Sequence, residues 1–179
     1  MRKVSQRLLR VKVSLVEVKG MYNKEKAKIL VVEDDTDILQ VLCVFLKYAG
    51  FEVCGVSGGQ EAIKVVPEFC PHLIVLDLMM QPVSGFEVLD WLRAKHITPP
   101  LPVLVLTALN QLTEQIHGFE EGAVEYVTKP AQPTALVERI HTILSLSVEQ
   151  RTLLRHKRIN EQRRVLERIF APQPDEFVY

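Results

Sequence analysis

The sequence predicts an α/β fold, a five-stranded parallel sheet doubly wound by helices on both faces, and three observations predict it. Short apolar runs rich in branched residues, Lys28-Ile29-Leu30-Val31-Val32 and Leu73-Ile74-Val75-Leu76 above all, are too short to span a membrane and read as strands buried on both faces. Segments with three-to-four apolar spacing alternate with such runs, the pattern of successive βα units. Two of the runs end in carboxylates, Glu33-Asp34-Asp35 and Asp77. In an open α/β sheet, ligands bind in the crevice beyond the carboxyl ends of the strands.

Residues 1–27 are basic and, apart from the alternating Val11-Lys12-Val13-Ser14-Leu15, show no pattern, so little fixed structure is expected there. Met21 could itself begin translation. The first strand starts at Lys28, and Asp35 or Thr36 can cap a helix carrying Ile38, Leu39, Leu42, Phe45 and Leu46 and ended by Gly50. A second strand is predicted over 51–56, then a helix over 59–66 that stops before Pro67. The third strand is 73–77, followed by a helix over 85–95 with Phe86, Val88, Leu89 and Leu92 inward. Pro99, Pro100 and Pro102 mark the connection to a strand at 103–107, and the next helix, near 112–121, ends at Gly122. A fifth strand at 124–128 leads through Lys129-Pro130 to a helix beginning at Pro133-Thr134 with Leu136, Val137, Ile140, Ile143 and Leu144.

Residues 145–170 contain neither Gly nor Pro, so that last helix is expected to run on to 170 without a break. Its apolar residues, including Leu153, Leu154, Ile159, Val165, Leu166 and Ile169, are too unevenly spaced for a heptad repeat. They lack a partner within the five units, which predicts self-association or effector docking through 148–170. The expected division is therefore an extension over 1–27, a domain over 28–147, a basic helical extension over 148–170 and a frayed tail over 171–179.

The 22 basic and 22 acidic side chains cancel, but they are not mixed evenly. Residues 29–147 hold fifteen acidic against six basic side chains, whereas 1–28 hold nine basic and 148–170 seven, with few acids. Solvated basic flanks around an acidic domain explain this without a nucleic-acid surface. Cys43, Cys54 and Cys70 show no metal-ligand spacing and suit packed thiols in a reducing cytoplasm, and the five histidines form no zinc pair. No stretch is long and apolar enough for a membrane span or a signal peptide core, so a cytoplasmic location with no membrane partner is expected.

Two strands that deliver Glu33, Asp34 and Asp77 to one edge would crowd like charges, and such crowding raises pKa values unless a cation relieves it. An all-oxygen set with room for water suits Mg²⁺. Thr107 and Lys129 stand at the ends of two further strands. The set Ile29-Leu30-Val31-Val32-Glu33-Asp34-Asp35, Leu76-Asp77-Leu78-Met79-Met80 with Gly85, Leu106-Thr107-Ala108 and Glu125-Tyr126-Val127-Thr128-Lys129-Pro130 resembles the receiver domain of two-component response regulators. The resemblance covers about residues 28–147 and implies the CheY-like, flavodoxin-type strand order 2-1-3-4-5. It implies that Asp77 accepts a phosphoryl group from a histidine kinase or phosphotransfer protein. Asp34 and Asp77 would ligate Mg²⁺, with Glu33 acting through water and Met79 through its carbonyl. Lys129 would pair with Asp77 and then with the phosphoryl oxygens, and Thr107 would donate its hydroxyl to them beside the small Ala108. Thr107 and Tyr126 would form the switch that carries the signal to a downstream protein effector.

The sequence departs from the family at Gln81-Pro82, where the proline comes one residue late, and at Ala131, where Phe is common. Gln115 and Val124 stand where winged-helix relatives carry charges for dimerisation. An aspartyl-phosphate phosphatase would need a second acid two residues after the nucleophile, where Met79 stands. A flavin mononucleotide site would need a phosphate cradle where Glu33-Asp34-Asp35 repel phosphate. Direct DNA binding is not expected, because the stretch beyond the fifth helix is too short for a winged helix; a receiver piece of a larger regulator is the alternative. In the family, the positions that Met79 and Leu109 occupy border the path of the hydrolytic water; neither side chain offers a strong polar group to orient it, so the resemblance implies slow loss of the phosphoryl group.

Overall fold

The computed structural model describes residues 26–97, 100–108 and 112–170. The expected extension up to residue 25 and the tail from 171 lie outside the described residues, as does Leu109. Five strands, β1 (Lys28–Val32), β2 (Glu52–Val56), β3 (Leu73–Leu76), β4 (Val103–Thr107) and β5 (Ala123–Thr128), alternate with α1 (Thr36–Tyr48), α2 (Gly59–Phe69), α3 (Gly85–Ala94), α4 (Leu112–Glu120) and α5 (Pro133–Ser145), and α6 (Val148–Phe170) comes last. The strands pair in parallel in the order β2-β1-β3-β4-β5. This is the expected fold.

Alternation along the strands builds two cores. Leu30, Val32, Ile74, Leu76, Val103 and Val105 face Ala62 and Val66 of α2, Val88 and Leu89 of α3 and Phe119 of α4. Ile29, Val31, Leu73, Val75, Leu104 and Leu106 face Leu42 and Leu46 of α1 and Leu136, Ile140 and Ile143 of α5. The helix ends obey local chemistry. Asp35 accepts hydrogen bonds from the amides of Asp37 and Ile38, and Ser84 with Glu87 closes a capping box at α3. Gly50 and Gly122 take φ of 98° and 121°, the left-handed geometry that lets the chain leave α1 and α4 for the next strand.

Four expectations are corrected. α2 does not stop before Pro67 but continues to Phe69, with the proline inside its last turn, where it forfeits a backbone hydrogen bond that the packing of Ala62 and Val66 into the core offsets. The turn then ends at Cys70 in the left-handed conformation, which leaves that thiol exposed instead of packed. The long helix is not continuous. Leu146 is extended at φ −82°, ψ 143°, and Ser147 caps a new helix. The Gln150 amide donates to Ser147 Oγ at 3.2 Å, and the Ser147 amide donates to Gln150 Oε1 at 2.8 Å.

The apolar residues of α6 also do not all lack a partner within the chain. α6 packs against α4 and β5. Ile159 lies against the first core and Leu154 against the second, so the helix straddles the open edge of the sheet at β5. Leu153, Val165 and Ile169 stay exposed on its outer side.

Gly85 fixes the turn between β3 and α3. Its amide donates to the Leu78 carbonyl at 3.1 Å, and a Cβ there would stand 2.2 Å from the Asp77 carbonyl oxygen. Backbone cannot yield as a side chain end can, so Gly85→Ala is expected to lower stability by roughly 3 kcal/mol in urea denaturation. A loss under about 0.5 kcal/mol would show that this turn shifts freely.

Candidate functional site

The carboxyl ends of β1, β3, β4 and β5 meet at one edge of the sheet, as parallel strands require. Asp77 comes directly after β3, and its amide donates to the Val32 carbonyl at 3.0 Å, which ties the end of β3 to the end of β1. Glu33 is tied in the same way to β2, its amide donating to the Val56 carbonyl at 3.2 Å. Lys129 leaves β5 with its amide on the Thr107 carbonyl at 2.9 Å. The backbone thus positions the side chains before any of them interact.

Carboxylate oxygens of Glu33, Asp34 and Asp77 lie within 4.8 Å of one another. Glu33 and Asp77 are buried, and Asp34 opens to solvent. The Lys129 ammonium bridges the buried pair, at 2.6 Å from Glu33 Oε2 and 2.7 Å from Asp77 Oδ2. The other Asp77 oxygen accepts the Met79 amide at 3.0 Å. Burial pushes the Glu33 carboxyl above its usual range, against the opposing pull of the Lys129 hydrogen bond and charge. Burial alone would depress the Lys129 ammonium, but its hydrogen bonds to Asp77 and Glu33 outweigh that and raise it.

One ammonium faces three carboxylates, so the cluster keeps an excess of negative charge. Its donors are all oxygen, and one side is open, which fits a hard divalent cation that retains water. Asp34, Asp77 and Glu33 could hold such an ion. Met79 turns its amide to Asp77 and its side chain to solvent.

Thr107 is fully buried beside this cluster, and Ala108 after it is exposed. Tyr126 is not in the cluster. It packs on Phe119 of α4 with ring centroids 4.8 Å apart, and its hydroxyl is buried, with no hydrogen-bond partner among the described residues, against Gly118, where a Cβ would overlap it. Burial, then the charge of Glu114, pushes that hydroxyl far above the ordinary tyrosine value.

The residue before it belongs to an arrangement the sequence pattern did not reveal. Glu125 is buried and holds Arg158 of α6 at 2.8 Å and Arg139 of α5 at 3.2 Å. The hydrogen bond to Glu125 raises the Arg158 guanidinium further. The signal was present as arginines at 151, 155 and 158, which share one helical face.

Over residues 29–141 the sequence matches the family described as "Response regulator receiver domain". It is 40% identical over 120 residues to the probable transcriptional regulator ycf27 of Pyropia yezoensis, covering 67% of this chain and 48% of that protein. It is 35% identical over 117 residues to the phosphate regulon transcriptional regulatory protein PhoB of Escherichia coli, covering 65% of this chain and 51% of that protein. The chain therefore spans about half the length of the curated relatives it matches. Among solved structures, a putative response regulator from Chloroflexus aurantiacus superposes with a TM-score of 0.64 at 32% identity, covering 68% of this chain and 100% of that one.

Removing Lys129 would leave two buried carboxylates uncompensated. Lys129→Ala is expected to cost on the order of 3 kcal/mol in urea denaturation at neutral pH, and added Mg²⁺ should restore more stability to the variant than to the parent. Equal stability of variant and parent without the ion would show that the bridge does not hold the cluster together.

Proposed function

The chain belongs to the response regulator receiver family, and from that premise we propose that Asp77 accepts a phosphoryl group from a histidine kinase or phosphotransfer protein and that the domain reports this to a protein effector. The observation that carries the reading is the Glu33, Asp34 and Asp77 cluster bridged by Lys129. In the transfer, an Asp77 carboxylate oxygen attacks phosphorus. The phosphorus–nitrogen bond of the donor phosphohistidine breaks, and its electron pair returns to the imidazole, which takes up a proton.

Phosphoryl transfer needs positioning and charge neutralisation more than covalent help, and these residues supply both. Asp34, Asp77 and the Met79 carbonyl would hold Mg²⁺, with Glu33 acting through water; when bound, the ion neutralises the carboxylates and the incoming phosphoryl oxygens. Lys129 already touches Asp77 and can turn its ammonium to the phosphoryl group, leaving Glu33. The Thr107 hydroxyl would donate to the same group, with Ala108 leaving room. Movement of Thr107 would be passed to Tyr126, whose hydroxyl has no partner to break among the described residues.

The phosphodonor is proposed to approach over α1, where Val41, Val44 and Tyr48 form an exposed stripe at helical spacing. The process served is proposed to be control of transcription, by the names of the relatives, in the cytoplasm; among the described residues no helix is long and apolar enough to cross a membrane. α6 engages Arg158 and Arg163 with Glu125 and Glu120 of its own chain, which supports a protein contact over direct DNA binding as output.

A chemical phosphodonor with Mg²⁺ should add one phosphoryl mass to the parent and none to Asp77→Asn. Val41→Asp with Val44→Asp should keep that labelling while slowing transfer from a phosphorylated donor protein roughly tenfold or more. Labelling that survives in Asp77→Asn would remove the central claim. The phosphoryl lifetime offers a separate measurement. Met79→Asn with Leu109→Glu would supply groups that orient water, and dephosphorylation is expected to quicken by about tenfold. Equal decay would exclude water positioning by these side chains as the control.

A further inference from the structure

α5 and α6 are joined by Leu146 and Ser147 alone, and the break between them is not written as a glycine or proline. Every residue across the joint can be helical, and the break is maintained by two other things. One is the Ser147–Gln150 capping box. The other is what α6 touches once it has turned: Arg158 on Glu125, Gln162 on Gln115 at 3.0 Å, Arg163 on Glu120, and Ile159 and Leu154 on the two cores. All of these partners sit on α4, β5 or the cores beneath them, none on the joint itself. The surface that receives α6 is therefore complementary to that helix whichever molecule supplies it.

We propose that the α4–β5 surface is the docking site for α6 of a second copy of this chain, reached when the Leu146–Ser147 joint straightens and α5 and α6 become one helix. In that state each α6 leaves its own sheet edge and lies across its partner's. The ionic and apolar contacts are remade between chains, and the capping box is exchanged for main-chain hydrogen bonds across the joint. Charge argues for a second copy as the occupant, since a basic helix and an acidic domain are carried by one sequence. Length argues for it too, because a two-residue joint either turns α6 onto its own domain or, once helical, projects it away. This exchange does not depend on phosphoryl chemistry at Asp77, so failure of that reading leaves it standing.

The joint can be biased in both directions. Ser147→Ala removes the cap and favours a continuous helix, whereas Ser147→Pro bars helical geometry at Leu146 and locks the turn. By sedimentation equilibrium of the full chain, Ser147→Ala should raise the dimerisation constant by about twenty-five-fold, roughly fivefold for each cap lost, and Ser147→Pro should lower it. In a Cys70→Ser background, Gln115→Cys with Gln162→Cys marks which chain supplies α6. Oxidised monomer should be linked within the chain and dimer between chains, and the linked dimer should increase with Ser147→Ala and vanish with Ser147→Pro. If both Ser147 variants match the parent in mass at every concentration, α6 remains on its own chain and the proposal fails. If dimers form with cross-links only within chains, they use another surface, and it fails equally.

Discussion

The contact of one lysine with two buried carboxylates sets the terms for the rest of the site. Glu33 and Asp77 reach the same point because β1 and β3 are neighbours in register, and Lys129, its amide held on the Thr107 carbonyl at the end of β4, reaches it from β5, two strands away, with its long side chain. An acidic pair in that position without a cation would be costly, and the observed bridge reduces the cost without cancelling it. The remaining negative charge keeps the edge receptive to a further cation. A phosphoryl group arriving there would meet an ammonium already in place, which is the preorganisation that electrostatic stabilisation requires.

The sheet was legible because its central strands have no exposed face. β1, β3 and β4 are apolar runs that suit burial on both sides, and nothing in their surroundings competes with that reading. The strand-end residues were legible for the same reason, since a polar side chain directly after such a run has only the sheet edge to occupy. Tyr126 shows the limit. Its place on β5 can be had from the pattern, but its lodging over Gly118 depends on a missing side chain in α4 that periodicity does not weigh.

α6 departs from its expected form for two separate physical reasons. A search for glycine and proline finds breaks imposed by the backbone, whereas Ser147 makes this one by side-chain capping, in a Ser-x-x-Gln pattern that a hydropathy scan passes over. Its docked face is not marked by hydropathy, because that face is largely polar. Arg151, Leu154, Arg155, Arg158, Ile159, Gln162 and Leu166 are half-buried and recur at helical spacing, yet only three of them are apolar. Arginine stems can cover apolar surface while their heads reach carboxylates, so burial here does not track hydrophobicity.

The same physics bears on the basic character of α6 beside an acidic domain. A parallel sheet of five strands leaves β5 with one open side, and an exposed strand edge invites pairing with other chains. α6 covers it with a face that mixes apolar and charged side chains. A basic helix over an acidic edge is held in part by ion pairs, and that part of its hold weakens with salt. Glu125 and Tyr126 are consecutive on β5, one gripping α6 and the other wedged against α4. The strand therefore carries a contact to each of the two helices that flank the edge.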